Sequence, residues 1–235
     1  MNQQAAYRRL GISSSPFLSV PIEIQISPSY ASRERDFRLF SINVGEMILA
    51  RKRFISESEH ILNSYRLGEM IFASGYQPTF IIGIWRGGSS VALAVQECLA
   101  YLGVKTDHST VRTSYAGRLA YEKSVAANEG IRIHGKRYAF DTLNSGDRLL
   151  IVDDVYRSGR HTKALVERLQ GGLRRNMPEA VKVAALWKYS DGDSGPGPDF
   201  FVEETDGWIV LPYELSGLSN DEIEKDKSFL GGFAP

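Results

Sequence analysis

Two adjacent carboxylates, Asp153 and Asp154, stand directly after an apolar run that reads LLIV. Neighbouring residues of a strand point to opposite faces, so one carboxylate can face a sugar diol while the other meets a basic side chain or a metal-bound water. The chain then continues through Ser158, Gly159 and Thr162, whose hydroxyls and backbone amides at a helix start suit a phosphate monoester. This spacing favours a ribose 5-phosphate site. The simpler alternative is a strand end with an Asp or Ser cap for the next helix.

The elements that position these residues follow from alternating strand and helix patterns. Short apolar runs bounded by turn residues predict strands at about 80–84, 109–112, 148–152, 181–186, 200–203 and 208–211. Helices are predicted from Ser56 or Ser58 to Gly75, from about 90 to 102, and from 163 to 170, where Gly171 and Gly172 would close the last one. The first helix carries apolar residues at mostly helical spacing: Ile61, Leu62, Tyr65, Met70 and Ile71.

This order of elements predicts an α/β protein with a mainly parallel twisted sheet flanked by helices on both faces. In sheets of this kind, ligands bind beyond the carboxyl ends of the strands. The two loops at 85–89 and 153–162 are therefore the candidate site.

Composition narrows the class of protein. The chain has 235 residues, of which 43% are hydrophobic and 24% charged, as is typical of a globular domain and unlike a disordered or coiled-coil one. Lys and Arg number 28, as do Asp and Glu, so neither nucleic acid nor an anionic membrane is an expected partner. A single cysteine and apolar runs too short to span a bilayer fit an intracellular, cytoplasmic protein.

The stretch 149–162 resembles the 5-phosphoribosyl 1-diphosphate signature of type I phosphoribosyltransferases, in which an apolar strand precedes two acids and a Thr/Ser-Gly turn. The segment Trp85-Arg86-Gly87-Gly88 resembles the diphosphate-binding loop of that family. Segments 198–202 and 208–214 resemble the base-recognition hood of bacterial hypoxanthine and xanthine-guanine phosphoribosyltransferases. The resemblance covers residues 54–226 and implies the family's fold, with a small hood built from C-terminal or N-terminal residues.

The resemblance implies transfer of the 5-phosphoribosyl group from 5-phosphoribosyl 1-diphosphate to a 6-oxopurine base. It also implies Mg²⁺ as cofactor and a homodimer or homotetramer as the assembly. Asp153 and Asp154 would hold the ribose hydroxyls and, with Glu214 nearby, magnesium; together with Arg157 they occupy the catalytic positions. The donor-binding residues would be Trp85, Arg86, Gly87, Gly88, Asp153, Asp154, Tyr156, Arg157, Ser158, Gly159, Arg160, His161 and Thr162.

The implied base site combines an aromatic ring with a lysine. Trp208 can stack on a purine, Lys188 can donate to the exocyclic O6, and the backbone of Ile209 would complete the contact. A 6-amino group would not accept this hydrogen bond from Lys188, so Lys188 and Trp208 together favour 6-oxopurines over adenine. Plain core packing for Trp208 and a solvated position for Lys188 are the alternatives.

A long stretch, 113–142, has few sustained apolar positions, and loops of this length are usually functional or disordered. In the resembling family it is a mobile lid, and Ser114 and Tyr115 match the pair that closes over the diphosphate; a solvated hairpin is the alternative. The chain is thereby divided into an N-terminal extension, 1–53, that could contribute to the hood, and a phosphoribosyltransferase domain, 54–235. The hood occupies 188–214.

One residue departs from the family's pattern. Where relatives carry an Asp near the purine N7, often cast as the general base, this chain has Arg157, and a guanidinium cannot accept a proton. Asp154 or a water could take the proton, or the acceptor could need no deprotonation. Catalysis could also be lost while nucleotide binding is retained, as in a nucleotide-sensing regulator, or the acceptor could be an unusual base of a specialised pathway. His161 is expected on the phosphate side.

The remaining reactive residues favour structural roles. Cys98 follows apolar residues in a predicted helix and is expected in the core. His60, His108 and His134 lack partners at metal-ligand spacing, so no zinc site is expected.

Overall fold

The computed structural model describes residues 52–114, 131–190 and 197–228, which form an α/β fold. Its elements are, in chain order, β1 (Lys52–Phe54), α1 (Glu57–Ala73), β2 (Phe80–Trp85), α2 (Gly87–Tyr101), β3 (Asp107–Ser114), β4 (Arg132–His134), α3 (Arg137–Thr142), β5 (Arg148–Tyr156), α4 (Arg160–Leu173), β6 (Ala180–Tyr189), β7 (Phe200–Thr205), β8 (Trp208–Val210) and α5 (Asn220–Asp226). A six-stranded sheet has the order β4-β3-β2-β5-β6-β7, and only β3 and β4 pair antiparallel. The predicted mainly parallel α/β fold is confirmed.

Strand β5 divides the core into two layers. Leu150 and Val152 pack with residues of α1 and α2, whereas Leu149 and Ile151 pack with residues of α3 and α4. All four side chains are fully buried. Because β2 and β5 are neighbours at the centre of the sheet, the loops that follow them reach the same edge.

Helix α1 begins where the sequence predicts, but its buried face matches the apolar pattern only in part, with Ile71 buried as expected. The Ser56 side chain accepts a hydrogen bond from the amide of Glu59 at 3.1 Å, and Gly75, with φ +84°, follows the helix end. Ile61 and Leu62 are 41% and 44% exposed, contrary to their apolar spacing. The buried face instead comprises His60, Asn63, Ser64, Leu67, Gly68, Glu69 and Ile71. Close packing on α2 selects small and polar side chains there.

Helix α4 is longer than its sequence pattern predicts. It begins at Arg160 and continues to Leu173, through the glycine pair that was expected to close it. A Cβ on Gly172 would lie 2.6 Å from the ring of Phe140 in α3, so this glycine serves helix packing. Since β5 also continues to Tyr156, the turn between strand and helix is only 157–159.

The stretch expected to be a lid contains two regular elements in its second half. Strand β4 pairs with β3, with Thr113 opposite Ile133, and α3 contributes Ala139 to the core. Residues 115–130 lie outside the described residues. None of the helices in the described ranges has the length and apolarity that a bilayer crossing requires.

A separate sheet of two strands, which we call the hood, stands apart from the six-stranded sheet. Strands β1 and β8 are parallel, and Lys52 lies opposite Trp208. Arg53 then links β1 to α1 and β7, through Glu59 at 2.7 Å and Glu203 at 2.8 Å. The last residues of the N-terminal extension thus pair with the hood strand, while residues 1–51 are outside the described ranges.

Helix α5 and Lys227, which follows it, also hold the hood in place. Lys227, which is 2% exposed, donates to the carbonyl oxygens of Leu211 and Pro212, both at 2.8 Å. Glu222 of α5 pairs with Lys52 of β1 at 2.6 Å. These contacts fix residues 211 and 212. The next two residues of the chain, 213 and 214, are therefore held at the site.

Gly68→Ala should destabilise the protein, because the new Cβ would lie 2.8 Å from the Cβ of Cys98 on α2. Overpacking between elements typically costs about 1–3 kcal/mol. Gly171→Ala makes the same change in α4 where no heavy atom lies within 4 Å, and should stabilise by up to about 1 kcal/mol. Urea unfolding followed by circular dichroism measures both changes. A neutral or stabilising Gly68→Ala would contradict this account of the contact between α1 and α2.

Candidate active site

Two adjoining clefts lie at the carboxyl edge of the sheet. The main cleft, of about 310 Å³, is lined by the end of β5, the start of α4 and the hood. The side cleft, of about 230 Å³, is lined by the loop after β2, together with Thr113 and Tyr213. The two clefts share Asp153, Asp154, Val155, His161 and Glu214. The loops predicted from the sequence therefore converge on one site.

The start of α4 forms one end of the main cleft. Its cap residue, Gly159, has φ +65° and, being a glycine, provides no side-chain cap. That turn contains no acidic residue, and Arg160 stands in it. The exposed Ser158 and the buried Thr162 also line the cleft. Open amides, a helix dipole and a nearby cation together favour an anion such as phosphate.

His161 connects this turn to β3. Its Nδ1 lies 2.6 Å from Oγ1 of Thr113. Burial lowers the pKa of His161, although the charge of Asp154 acts in the opposite direction. A neutral ring with a fixed hydrogen-bond partner is therefore expected, which suits positioning better than proton transfer.

The carboxylate pair sits where β5 reaches the edge of the sheet. The Asp153 carboxylate accepts a hydrogen bond from the amide of Asp154 at 3.0 Å, and the Asp154 carboxylate accepts one from the amide of Val155 at 2.9 Å. Burial, together with the negative charge of Asp154, raises the pKa of Asp153 well above its ordinary value. A positive charge placed beside the pair would lower that pKa again and would be stabilised in turn.

The loop after β2 packs directly against these carboxylates. A Cβ on Gly87 would overlap the Asp154 carboxylate and the Tyr213 hydroxyl, and a Cβ on Gly88 would lie 2.8 Å from Cα of Asp153. Helix α2 begins at this glycine pair without a side-chain cap. The glycines thus bring a second open helix N-terminus to the carboxylates, on the side opposite α4.

The other two residues of that loop reach outward. Trp85 is exposed, and the guanidinium of Arg86 lies 3.3 Å from Oε1 of Glu214. The second oxygen of Glu214 accepts a hydrogen bond from the amide of Leu211 at 3.1 Å. Glu214 therefore joins the loop after β2 to the segment that follows β8.

The acids do not by themselves form a metal cage. Among the described residues, no group of three or more His, Cys, Asp or Glu side chains is arranged to hold a metal ion. Mg²⁺ at phosphate sites takes one or two carboxylates and completes its shell with water and substrate oxygens. Asp153 and Asp154 fit this kind of site, whereas Glu214 is engaged with Arg86.

Aromatic side chains line part of the main cleft. Trp208, which is 53% exposed, and Ile209 line it from the hood. Tyr189, at the end of β6, lines another part of the wall, and the guanidinium carbon of Arg157 lies 4.8 Å from the centre of its ring. A flat heterocycle fits between such groups, because aromatic rings stack on it and a cation can face its polar edge.

Lys188, which the sequence assigns to the base, lines neither cleft. Its amine lies 2.9 Å from Glu204 and 5.0 Å from the ring centre of Phe201, both on β7. The next residue, Tyr189, lines the main cleft instead. Successive side chains of a strand point to opposite sides, so the exact position along β6 decides which one meets a ligand.

His60 belongs to the site's surroundings, which its sequence context does not predict. It is 4% exposed, its Nε2 lies 3.4 Å from Oγ of Ser90, and its ring meets that of Tyr213 edge-on with centroids 6.2 Å apart. Burial lowers the pKa of His60. Of the expected lid pair, Ser114 is the last residue of β3 and Tyr115 lies outside the described residues.

Comparisons with known proteins show which solved structures resemble this architecture. No protein-family profile and no curated protein matches the chain. Among solved structures, a purine phosphoribosyltransferase from Pyrococcus horikoshii is 21% identical, with a TM-score of 0.55, over 72% of this chain and 98% of that one. A xanthine-guanine-hypoxanthine phosphoribosyltransferase from Helicobacter pylori is 14% identical, with a TM-score of 0.53, over 78% and 99%. A hypothetical protein from Neisseria gonorrhoeae with bound ppGpp is 16% identical, with a TM-score of 0.54, over 77% and 98%.

These likenesses identify the fold. The chain has the type I phosphoribosyltransferase fold that its sequence motifs resemble. Two of the three structures are of enzymes that their names describe as acting on purines. At such low identity the reaction has to be argued from the site itself.

Asp153→Asn should stabilise the ligand-free protein increasingly as pH rises. The folded-state pKa of Asp153 is raised, so its ionisation costs stability once the pH exceeds the unfolded value of about 4. Thermal unfolding in EDTA should show similar melting temperatures below about pH 4 and a higher one for the variant at neutral pH. Asp141→Asn, on the exposed helix α3, is the control and should show no such trend. A pH-independent difference would contradict the raised pKa.

Proposed function

We propose that this protein transfers the 5-phosphoribosyl group of 5-phosphoribosyl 1-diphosphate to a 6-oxopurine and releases diphosphate. The observation that carries the proposal is a carboxylate pair between two open helix N-termini. Helix N-termini favour phosphates, and carboxylates accept hydrogen bonds from a diol. The donor presents these groups in the same order: a 5-phosphate, the ribose hydroxyls and a diphosphate.

Each part of the donor then has a partner in the site. The turn and first helical residues at 158–162 would hold the 5-phosphate, and the loop at 85–88 would hold the diphosphate. Asp153 and Asp154, which both clefts share, would hold the ribose hydroxyls. Magnesium bound with the diphosphate would neutralise charge on the leaving group.

The proposed reaction exchanges one bond for another at C1′ of the ribose. A ring nitrogen of the base forms the bond to C1′, the bond from C1′ to the diphosphate oxygen breaks, and its electron pair leaves with the diphosphate. Positive charge develops on the sugar meanwhile, and the partly buried Asp153 and Asp154 are placed to stabilise it. The proton on the acceptor nitrogen leaves to water or to Asp154.

The base would lie against the aromatic side chains that line the main cleft. Trp208 offers an exposed ring for stacking and Ile209 a backbone beside it. Lys188 could donate to O6 only after leaving Glu204, so the aromatic residues support a purine more directly than the lysine does. Two fold relatives named as purine phosphoribosyltransferases agree with this choice.

The remaining elements of the proposal concern closure, assembly and location. Ser114 and Tyr115 would close over the diphosphate and exclude water from the charged sugar. The enzyme would act as a homodimer or homotetramer in the cytoplasm, in purine salvage.

A nucleotide-sensing regulator is the second candidate, because Arg157 stands where an acid would serve catalysis and the gonococcal fold relative was solved with ppGpp. A regulator would bind nucleotides in the same clefts without releasing diphosphate.

Changing Asp153 and Asp154 together to Asn should lower diphosphate release at least about a hundredfold, since charge stabilisation at such sites is worth several kcal/mol. Purified protein would be assayed with the donor, magnesium and single bases; hypoxanthine, guanine or xanthine should outperform adenine and orotate. Asp141→Asn on α3, a residue that lines neither cleft, is the matched control and should retain activity.

Three outcomes would count against the proposal. Diphosphate release by a folded double variant at the control rate would remove the carboxylates from the mechanism. A preference for adenine or orotate would exclude a 6-oxopurine site. Tight binding of a guanine nucleotide without turnover of any base would favour the regulator.

A further inference from the structure

We propose that Arg157, held against Tyr189, selects acceptor bases that carry a negative charge. This inference rests on the proposed transfer reaction and specifies its acceptor. The carrying observation is a cation that lines the main cleft together with Trp208 and lies 4.8 Å from the centre of the Tyr189 ring.

The geometry places this charge beside the base. Arg157 is exposed at its position on the cleft, while Tyr189 is only 8% exposed and provides a fixed surface beneath the guanidinium. Trp208 and Ile209 line the same cleft from the hood. A planar base stacked on Trp208 would therefore present an edge to a permanent positive charge.

The phosphate end has its own positive groups. Arg160 and the open amides of α4 lie at the helix start, beyond Gly159. The charged or titratable side chains that line the main cleft are Asp153, Asp154, Tyr156, Arg157, Arg160, His161, Tyr189 and Glu214. Of the two arginines, Arg157 is the one whose guanidinium faces the Tyr189 ring, and this contact favours a role toward the acceptor.

An anionic acceptor also removes the need for a carboxylate base at this position. The base loses its ring proton to water before it binds. Its nitrogen lone pair then forms the bond to C1′, the bond to the diphosphate oxygen breaks, and the electron pair leaves with diphosphate. No proton has to be accepted in the site, so a guanidinium at position 157 is compatible with turnover.

Hypoxanthine and 8-azahypoxanthine provide an isosteric test pair. They have nearly the same shape, but 8-azahypoxanthine ionises on the acidic side of neutrality whereas hypoxanthine stays neutral. In the wild-type protein, kcat/KM for 8-azahypoxanthine should exceed that for hypoxanthine by about tenfold or more at neutral pH. The ratio should fall as the pH approaches the point where 8-azahypoxanthine becomes protonated.

Three variants assign that preference to Arg157. Arg157→Gln keeps a polar side chain without charge and should lower the ratio about tenfold, and Arg157→Asp should invert it. Arg157→Lys keeps the charge and should restore part of the preference. Arg175→Gln, an exposed arginine after α4, is the control and should leave the ratio unchanged. Equal ratios for Arg157→Gln and wild type, or a wild-type preference for neutral hypoxanthine, would overturn the inference.

Nucleotide binding separates this inference from the proposed function. Xanthosine 5′-monophosphate has an ionised base at neutral pH and inosine 5′-monophosphate a neutral one. Calorimetry should show tighter binding of the xanthosine nucleotide, lost in Arg157→Gln, whether or not diphosphate is released. Turnover of bases with no charge preference in either assay would refute the role of Arg157 alone. Absence of turnover together with binding of neither nucleotide would refute both.

Discussion

Close approach between the start of α2 and the end of β5 is the contact on which the site depends. Gly83, Gly87 and Gly88 leave no room for side chains: a Cβ on Gly83 would lie 2.9 Å from the carbonyl oxygen of Gly88, and one on Gly88 2.8 Å from Cα of Asp153. Only because these positions lack side chains can the N-terminus of α2 reach the carboxylates. The parallel pairing of β2 with β5 holds that arrangement, since both strands end at the same edge.

This packing brings a carboxylate pair and two helix N-termini close together. Burial raises the pKa of Asp153, and the amides at the starts of α2 and α4 have no side-chain caps. Such groups cost stability until a ligand with complementary charge binds. The donor of the proposed reaction, a phosphorylated sugar on which positive charge develops, would supply the complementary charges.

The hood brings an aromatic side chain to the main cleft. It is fixed by β1 pairing with β8 and by Lys227, whose amine bonds to two carbonyl oxygens of the segment after β8. Its Trp208 lines the main cleft together with Tyr189 and Arg157. Of the residues in the proposed acceptor site, Trp208 and Tyr189 come from other parts of the chain than the turn at 158–162, whereas Arg157 directly precedes that turn.

Local pattern was sufficient for the six strands it predicted, the start of α1 and the two site loops. It missed β1, β4 and α3, and it placed the starts of α2 and α4 about three residues late. The run Leu149–Val152 is apolar enough to be a buried strand in any context, and Ser56 caps α1 through a bond to a residue three positions on. The turn around Gly159 likewise depends on neighbours in sequence. These features could be predicted from the sequence because the interactions that create them act within a few residues.

Contacts between distant segments were decided only by the tertiary structure. The sequence favoured Lys188 at the base, but the register of β6 against β7 pairs it with Glu204 and leaves Tyr189 on the cleft wall. Neighbouring residues in the sequence do not predict the polar buried face of α1, which includes His60. They do not predict the contact between Arg157 and Tyr189 either. A side chain's partner across a sheet depends on strand register and helix packing, which are set by the whole core and not by the residues beside it.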